Sequence, residues 1–426
     1  MRNVWLIIST QRDFRLMLSA SLIALTGGWV LRVGLAYQVY VLTGSTLASA
    51  TMLIASFLPQ ILLGSVAGVF VDRWDRRRTM IVSNLLLAVG LLPLFLVRDA
   101  GDVWLVYLVL LWNGCVQQFF APAEQSMLPR LVADRQLVTA NALNGQARDV
   151  ARLVGSAIGG VAAAAGGLPL LTLINVATFL LAAMLIRAIR ARDVDPPKVA
   201  EAAIRLGQRI AALRQEWTDG LRFAGHQRVL RVIMIFLLVT TVGEGVMGTL
   251  FAPFVRDAIG GTSQQYGLIV AVQAIGGLAG GVVAASLGDR IRPVRLLGWG
   301  AVAFGAIDLT MFLYPLWYPV VWPAVALMIL VGLPGALAIA GAMTLLQRNS
   351  PDSHRGRVFG AVGAIEGVSL LVGAAAAGVL GDLVGTIPIL AVQGAGYVGA
   401  GLWVILALRR TSGQLPTDQV SQATAG

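Results

Sequence analysis

Apolar residues along this chain gather in long runs of similar length, each broken by charges or by Pro and Gly. A helix needs about 20 mostly apolar residues to cross the hydrocarbon of a bilayer. Twelve runs meet that length and predict spans near 16–41, 46–71, 79–97, 103–122, 141–165, 168–189, 229–252, 266–287, 294–314, 320–346, 358–380 and 387–408. The fifth has the weakest pattern, because Arg148, Asp149 and Arg152 fall in its first half.

The polar stretch 190–228 divides the runs into two sets of six. The expected organisation is an N-terminal bundle (1–189), a linker (190–228), a C-terminal bundle (229–409) and a flexible tail (410–426). The linker opens with the helix stop Asp195-Pro196-Pro197. Ile210, Leu213, Trp217 and Leu221 then recur at helical spacing among Arg205, Arg209, Arg214 and Arg222. That pattern fits an amphipathic helix on the membrane face or a plain connecting helix.

The second half echoes the first. Gly44-Ser45-Thr46 aligns with Gly261-Thr262-Ser263, Asp72-Arg73 with Asp289-Arg290 and Asp149 with Glu366, all at an offset of 217, and Gly155 aligns with Gly373 at 218. Six spans per repeat place both halves in the same orientation. The expected fold is all-α, with twelve transmembrane helices in two six-helix bundles related by a parallel pseudo-twofold. Such two-bundle folds are expected of secondary transporters, with the substrate site between bundles near the midplane.

Charge gives the orientation. The loops after the odd-numbered spans carry only Arg98 and Arg256, and Arg32 lies inside span one, leaving 29 of the 32 basic residues on the other side. The positive-inside rule then makes both termini cytoplasmic. The net charge of +11 is thereby a topology signal and not a nucleic-acid footprint. Only 12% of residues are charged, far below a soluble domain. One cysteine, Cys115, and two loop histidines, His226 and His354, exclude a disulfide framework, a metal site and a serine-histidine-acid set. The only lysine is Lys198, so there is no phosphate-binding Gly-Lys loop, and neither an enzyme nor a cofactor is expected. No cleavable signal precedes span one.

The loop after span two reads Gly68-Val69-Phe70-Val71-Asp72-Arg73-Trp74-Asp75-Arg76-Arg77-Arg78, with a weaker copy ending Gly288-Asp289-Arg290 after span eight. It resembles the signature loop of the major facilitator superfamily, with Asp75 where a second glycine is usual. Trp29-Val30-Leu31-Arg32, Val41-Leu42-Thr43-Gly44-Ser45, Ala140-Asn141-Ala142-Leu143 and Arg355-Gly356-Arg357-Val358 are similar to the branch holding macrolide-type drug efflux pumps and enterobactin-type siderophore exporters. The resemblance implies a proton antiporter of a bacterial-type inner membrane, working as a monomer. It also implies that Gly68, Asp72, Arg73, Asp289 and Arg290 gate the cytoplasmic side. The alternative for these loops is topology alone.

Ionisable groups at bilayer depth are costly and are functional candidates by default. Glu244, Asp308 and Glu366 are the proton-coupling candidates, Glu244 first, because desolvation penalises a charged carboxyl and Gly243 and Gly245 leave room beside it. A fixed ion pair is the alternative for Glu244, with Arg32 as partner, and for Glu366, with Arg355 or Arg357. Asp308 has a structural alternative, and Arg32 fits either a counter-ion or a site for anionic substrate groups. The repeat sets Gly28 opposite Glu244, so the first half lacks a mid-span acid. Gly155, Gly159 and Gly160 have the three- to four-residue spacing of close helix packing, with Ser156 where drug antiporters tend to carry proline.

Trp29, Gln38, Asn113, Gln117 and Gln273, with Arg32, are the substrate-pocket candidates, joined by Tyr37, Trp112 and Gln393. Aromatic rings with scattered amides suit a large amphipathic substrate, although belt positions and interhelical hydrogen bonds account for the same residues. Three functions fit the sequence: proton-coupled efflux of drugs or antibiotics, export of a siderophore or other metabolite, and a non-transporting membrane sensor or assembly partner.

Overall fold

The computed structural model describes residues 10–71, 74–133, 136–190, 222–287, 290–351 and 354–409. Twelve long helices follow in order among these residues. They are α1 (Arg12–Thr43), α2 (Thr46–Val71), α3 (Arg76–Gly90), α4 (Val103–Leu131), α5 (137–166), α6 (168–187), α7 (Arg228–Pro253), α8 (Ser263–Leu287), α9 (Pro293–Leu313), α10 (Trp322–Asn349), α11 (Arg355–Val384) and α12 (Thr386–Leu408). Each covers one apolar run, except that α3 stops at Gly90 and a 3-10 turn over Leu92–Leu96 carries the third run on. The weakly patterned fifth begins at 137, because Asn141, Gln146, Arg148 and Asp149 are solvent-exposed residues on a helix that projects past the apolar zone. Most of the linker and all of the tail lie outside the described residues, so the amphipathic-helix expectation does too.

Local chemistry explains where the helices turn. α1 ends at Gly44, whose φ of 62° is left-handed and whose N–H closes on the Tyr40 carbonyl at 2.8 Å; glycine reaches that conformation without a Cβ clash. α5 and α6 reverse with no loop at all. Gly167 alone breaks the helix, at φ 56° and ψ −149°, and Pro169 opens the next turn. Asp75, which stands in place of the signature loop's second glycine, caps α3 by accepting the Arg78 N–H at 2.7 Å. Arg77 donates to the Ile186 carbonyl at 3.3 Å and to that of Arg187, satisfying orphan acceptors at the end of α6.

The repeat is visible in the element starts. α8 begins 217 residues after α2, and α9 begins 217 residues after α3. In the first half α1 packs along the α5–α6 unit and α2 along α4; in the second, α7 packs along α11 and α8 along α10. The halves meet through α5 against α8 and α2 against α11, which the repeat relates to each other. At the first crossing a Cβ added to Gly160 would stand 2.9 Å from the Gly267 Cα. At the second, a Cβ on Gly378 would collide with that of Ala50. Small residues are what let helices approach where lipid removes the hydrophobic drive between them.

Both crossings sit toward the end that carries the α1–α2 and α7–α8 turns. Toward the opposite end, where α1 begins and α12 ends, a Cβ on Gly145, Gly277 or Gly363 would meet nothing within 4 Å. Between the halves lies a cleft, lined by α5 on one side and by α7, α8 and α10 on the other. Around the outside stand apolar side chains such as Val282, Leu330 and Val392, all more than half exposed. A surface of that kind suits lipid, and the protein is a multi-pass membrane protein.

Candidate functional site

α7 carries Glu244 between Gly243 and Gly245. Gly245 lets α7 lie on the Leu370 backbone of α11, and Gly373 returns the contact against Val242. That close packing fixes α7 with Glu244 turned into the cleft, where it is exposed. The Tyr397 hydroxyl donates to its Oε1 at 2.6 Å. Four residues earlier on α12, Gln393 donates through Nε2 to Asp308 Oδ2 at 3.0 Å. Residues four apart share a helix face, so one side of α12 joins Glu244 to Asp308. The Tyr397 ring also lies 4.6 Å from that of Phe304, which fixes it from α9.

Asp308 is 2% exposed and has no cation at ion-pair distance among the described residues. An isolated buried carboxylate is expensive, and such groups are commonly neutral. Gln393 supplies its one hydrogen bond, while the Gln393 Oε1 is buried without a partner. Glu366 is half-buried in α11, with no hydrogen bond or ion pair among the described residues to Arg355 or Arg357.

A cavity of about 480 Å³ adjoins Glu244, lined by Asp149, Arg152, Thr240, Gln273 and Tyr397 with apolar Phe236, Leu237, Phe304 and Ile339. Arg152 reaches it from α5 and donates to the Gln273 side chain of α8, across the two halves. It shares that cavity with Glu244, and Asp149 stands one turn away on its own helix. The expected partner Arg32 instead lies over the Trp29 and Phe57 rings, with its guanidinium carbon 5.0 and 5.5 Å from their centroids. The geometry follows from register: Arg152 faces across to α7 and α8, whereas Arg32 is held on the wall formed by α1 and α2.

Other candidates are spread more widely. Gln38 donates to the Ala163 carbonyl at 2.8 Å and joins α1 to α5. Tyr37 donates to the Gly261 carbonyl at 2.8 Å. Asn113 keeps a buried Oδ1 without a partner, and Gln117 is exposed on α4. Trp112 packs outward, its Nε1 donating to the Leu86 carbonyl at 2.9 Å. Gly155 and Gly159 lie against α1 at Trp29 and Val30. Of the gating residues, Gly68 falls in α2 and Arg290 is exposed before α9, whereas Asp72, Arg73 and Asp289 lie outside the described residues.

Several polar residues escape sequence reading. Glu124 is 7% exposed and accepts the Ser21 hydroxyl, but it stands just beyond the apolar run of span four. Two clasps close the end away from the termini. Asp382 of α11 accepts the Thr46 N–H and hydroxyl, each at 2.9 Å, and the Ser45 hydroxyl at 3.1 Å. Asp257 accepts the Tyr40 hydroxyl, and Arg256 donates to the Tyr40 carbonyl at 3.2 Å. For Asp257 the repeat itself was a signal, since its equivalent at an offset of 217 is Tyr40, the donor it meets.

Two repeated bundles around a polar cleft define a transporter of the major facilitator class. Residues 8–423 match the family described as transmembrane secretion effector, and the chain belongs to that family of the superfamily. Macrolide efflux protein A of Streptococcus pyogenes is 22% identical, with 84% of this chain and 86% of that protein covered. Enterobactin exporter EntS of Salmonella typhi is 24% identical over 99% of both chains. An uncharacterized MFS-type transporter of Bacillus subtilis, YfiS, is 24% identical over 88% of both. Among solved structures, a bacterial homologue of the iron transporter ferroportin in its inward-facing state superposes with a TM-score of 0.74 at 16% identity, covering 95% of this chain and 100% of that one.

Proposed function

We propose that the protein exports amphipathic organic compounds by alternating access, driven by proton antiport. The carrying observation is the polar chain from the cleft-facing Glu244 through Tyr397 and Gln393 to the buried Asp308. A carboxyl that meets both water and a protein donor can exchange a proton as the cleft changes sides, and the linked buried acid supplies a second, shielded site. Arg152, from the other half, lines the same cavity as Glu244. With the basic residues marking the cytoplasm, the cleft opens inward and loads substrate from the cell side. The printed names of two relatives, a macrolide efflux protein and an enterobactin exporter, agree with export of organic compounds.

The test is transport in proteoliposomes under an imposed pH gradient. Wild type is expected to move a fluorescent amphipathic dye uphill. Glu244→Gln is expected to lose uphill movement and to keep downhill dye exchange. Uphill transport that survives in Glu244→Gln, Asp308→Asn and Glu366→Gln alike would falsify proton coupling through these groups.

A further inference from the structure

The proton-handling chain leaves one polar cluster on the facing wall unused. α1 contributes Trp29 and Arg32, α2 contributes Phe57 and α5 contributes Arg152. The guanidinium carbons of Arg32 and Arg152 stand 5.0 and 5.3 Å from the centroid of the same Trp29 ring. These are cation–π distances, which fix each cation while leaving its N–H edge free. The wall belongs to the cleft, because α2 and α5 are the helices that cross to the other half on either side of α1.

The cluster has more positive charge and more donors than the protein itself satisfies. The two guanidiniums act on each other, and like charges side by side are unfavourable. No carboxylate among the described residues reaches ion-pair distance of either. Arg152 donates to Gln273, yet its Nε is buried with no partner. Among the described residues Arg32 has two ring contacts and no hydrogen bond or ion pair. Of the two acids that line the cavity, Glu244 is on the opposite wall and tied to Tyr397, and Asp149 is exposed one turn before Arg152 on α5.

We propose that Arg32, Trp29 and Arg152 form a substrate subsite for an organic oxyanion borne on a flat, aromatic body. An oxyanion accepts the free guanidinium edges, for which the planar fork is suited in a way an ammonium is not. The planar body stacks on a guanidinium face or on Phe57. Inorganic anions use the charge but not the rings, and an organic cation is repelled by both arginines. The proposal rests on reading the cleft as the transport path and narrows its cargo to anions.

Two xanthene dyes of similar body and opposite charge test it: fluorescein, an anion, and rhodamine 6G, a cation. Binding to the purified full chain in lipid nanodiscs is read by fluorescence anisotropy without any gradient. Wild type is expected to bind fluorescein at least about ten-fold more tightly than rhodamine 6G. Arg32→Gln should weaken fluorescein about ten-fold and leave rhodamine 6G unchanged or tighter, and Arg32→Lys should recover only part of the loss. If Arg32→Gln does not fold, Trp29→Leu takes its place, with the same dye preference lost. Equal binding of both dyes to wild type, or fluorescein binding indifferent to both Arg32→Gln and Arg152→Gln, overturns the subsite. Wild type that binds fluorescein but transports nothing sinks the exporter reading and leaves the subsite standing; uphill transport of rhodamine 6G with no fluorescein binding does the reverse.

Discussion

The Asp382 carboxylate accepts the backbone N–H of Thr46 at 2.9 Å, although the two residues belong to different halves. Thr46 is the first residue of α2, so an acid of the second half caps a helix of the first. An anion at a helix N-terminus is favourable both through the orphan N–H groups and through the helix dipole. Asp382 is exposed, so solvent screens part of the contact, and about 1 kcal/mol is a reasonable share for it. Asp382→Asn is therefore expected to shift the equilibrium away from the closed α1–α2 end by about five-fold. Distances between spin labels placed on α2 and α11 at that end check this; an unchanged distance distribution counts against the clasp.

Glycines at two kinds of crossing should respond differently to a side chain. Gly160 meets Gly267 between halves, while Gly373 meets the Val242 backbone within one half. Gly160→Val is expected to force the α5–α8 crossing apart, opening the α1–α2 end and stopping transport, with little change in the melting temperature. Gly373→Val is expected to destabilise the second half by a few kcal/mol, as overpacking does. Thermal melting combined with cysteine labelling at the α1–α2 end separates them. Two melting curves lowered equally, with no gain in labelling for Gly160→Val, speak against the distinction.

The buried Asp308–Gln393 pair makes a prediction about stability. Gln393→Leu removes the one hydrogen bond that the described residues give a carboxyl 2% exposed. Leaving a buried polar group unsatisfied costs about 1–3 kcal/mol. Gln393→Leu should lower the melting temperature, and adding Asp308→Leu should restore much of it, a coupling that a double-mutant cycle measures. Additive losses in the double variant indicate that the two side chains do not act as a pair.

Legibility in the sequence followed the range of the interactions. Helix spans were readable because lipid demands long apolar runs, and the two-half organisation was readable because the repeat recurs at 217. Even the α5–α6 junction is written locally, as Gly166-Gly167-Leu168-Pro169. The partners of the buried acids were not readable in this way. Tyr397 meets Glu244 and Gln393 meets Asp308 only because α12 packs between α7 and α9, which no spacing along the chain encodes. Arg152 looked like a defect in a weak span, since its partner Gln273 lies on the other half. Glu124 fell past an apolar boundary set at Pro122, although the helix carries it back into contact with Ser21.

The missing acid of the first half supplies the last prediction. Gly28 is the repeat partner of Glu244, and a Cβ added there meets nothing within 4 Å. Gly28→Asp therefore places a carboxylate on the cleft face of α1 without displacing a neighbour. It also stands four residues before Arg32, the order in which an acid and a base on one helix attract each other best. The new charge would occupy the guanidinium edge that the proposed oxyanion uses. Fluorescein binding is expected to weaken about ten-fold or more and rhodamine 6G binding to strengthen, while thermal stability holds or rises slightly. Anisotropy titrations of Gly28→Asp beside Gly28→Asn, which has the same shape without the charge, decide the matter. Should both variants weaken fluorescein equally, space beside Arg32 and not its charge governs the site.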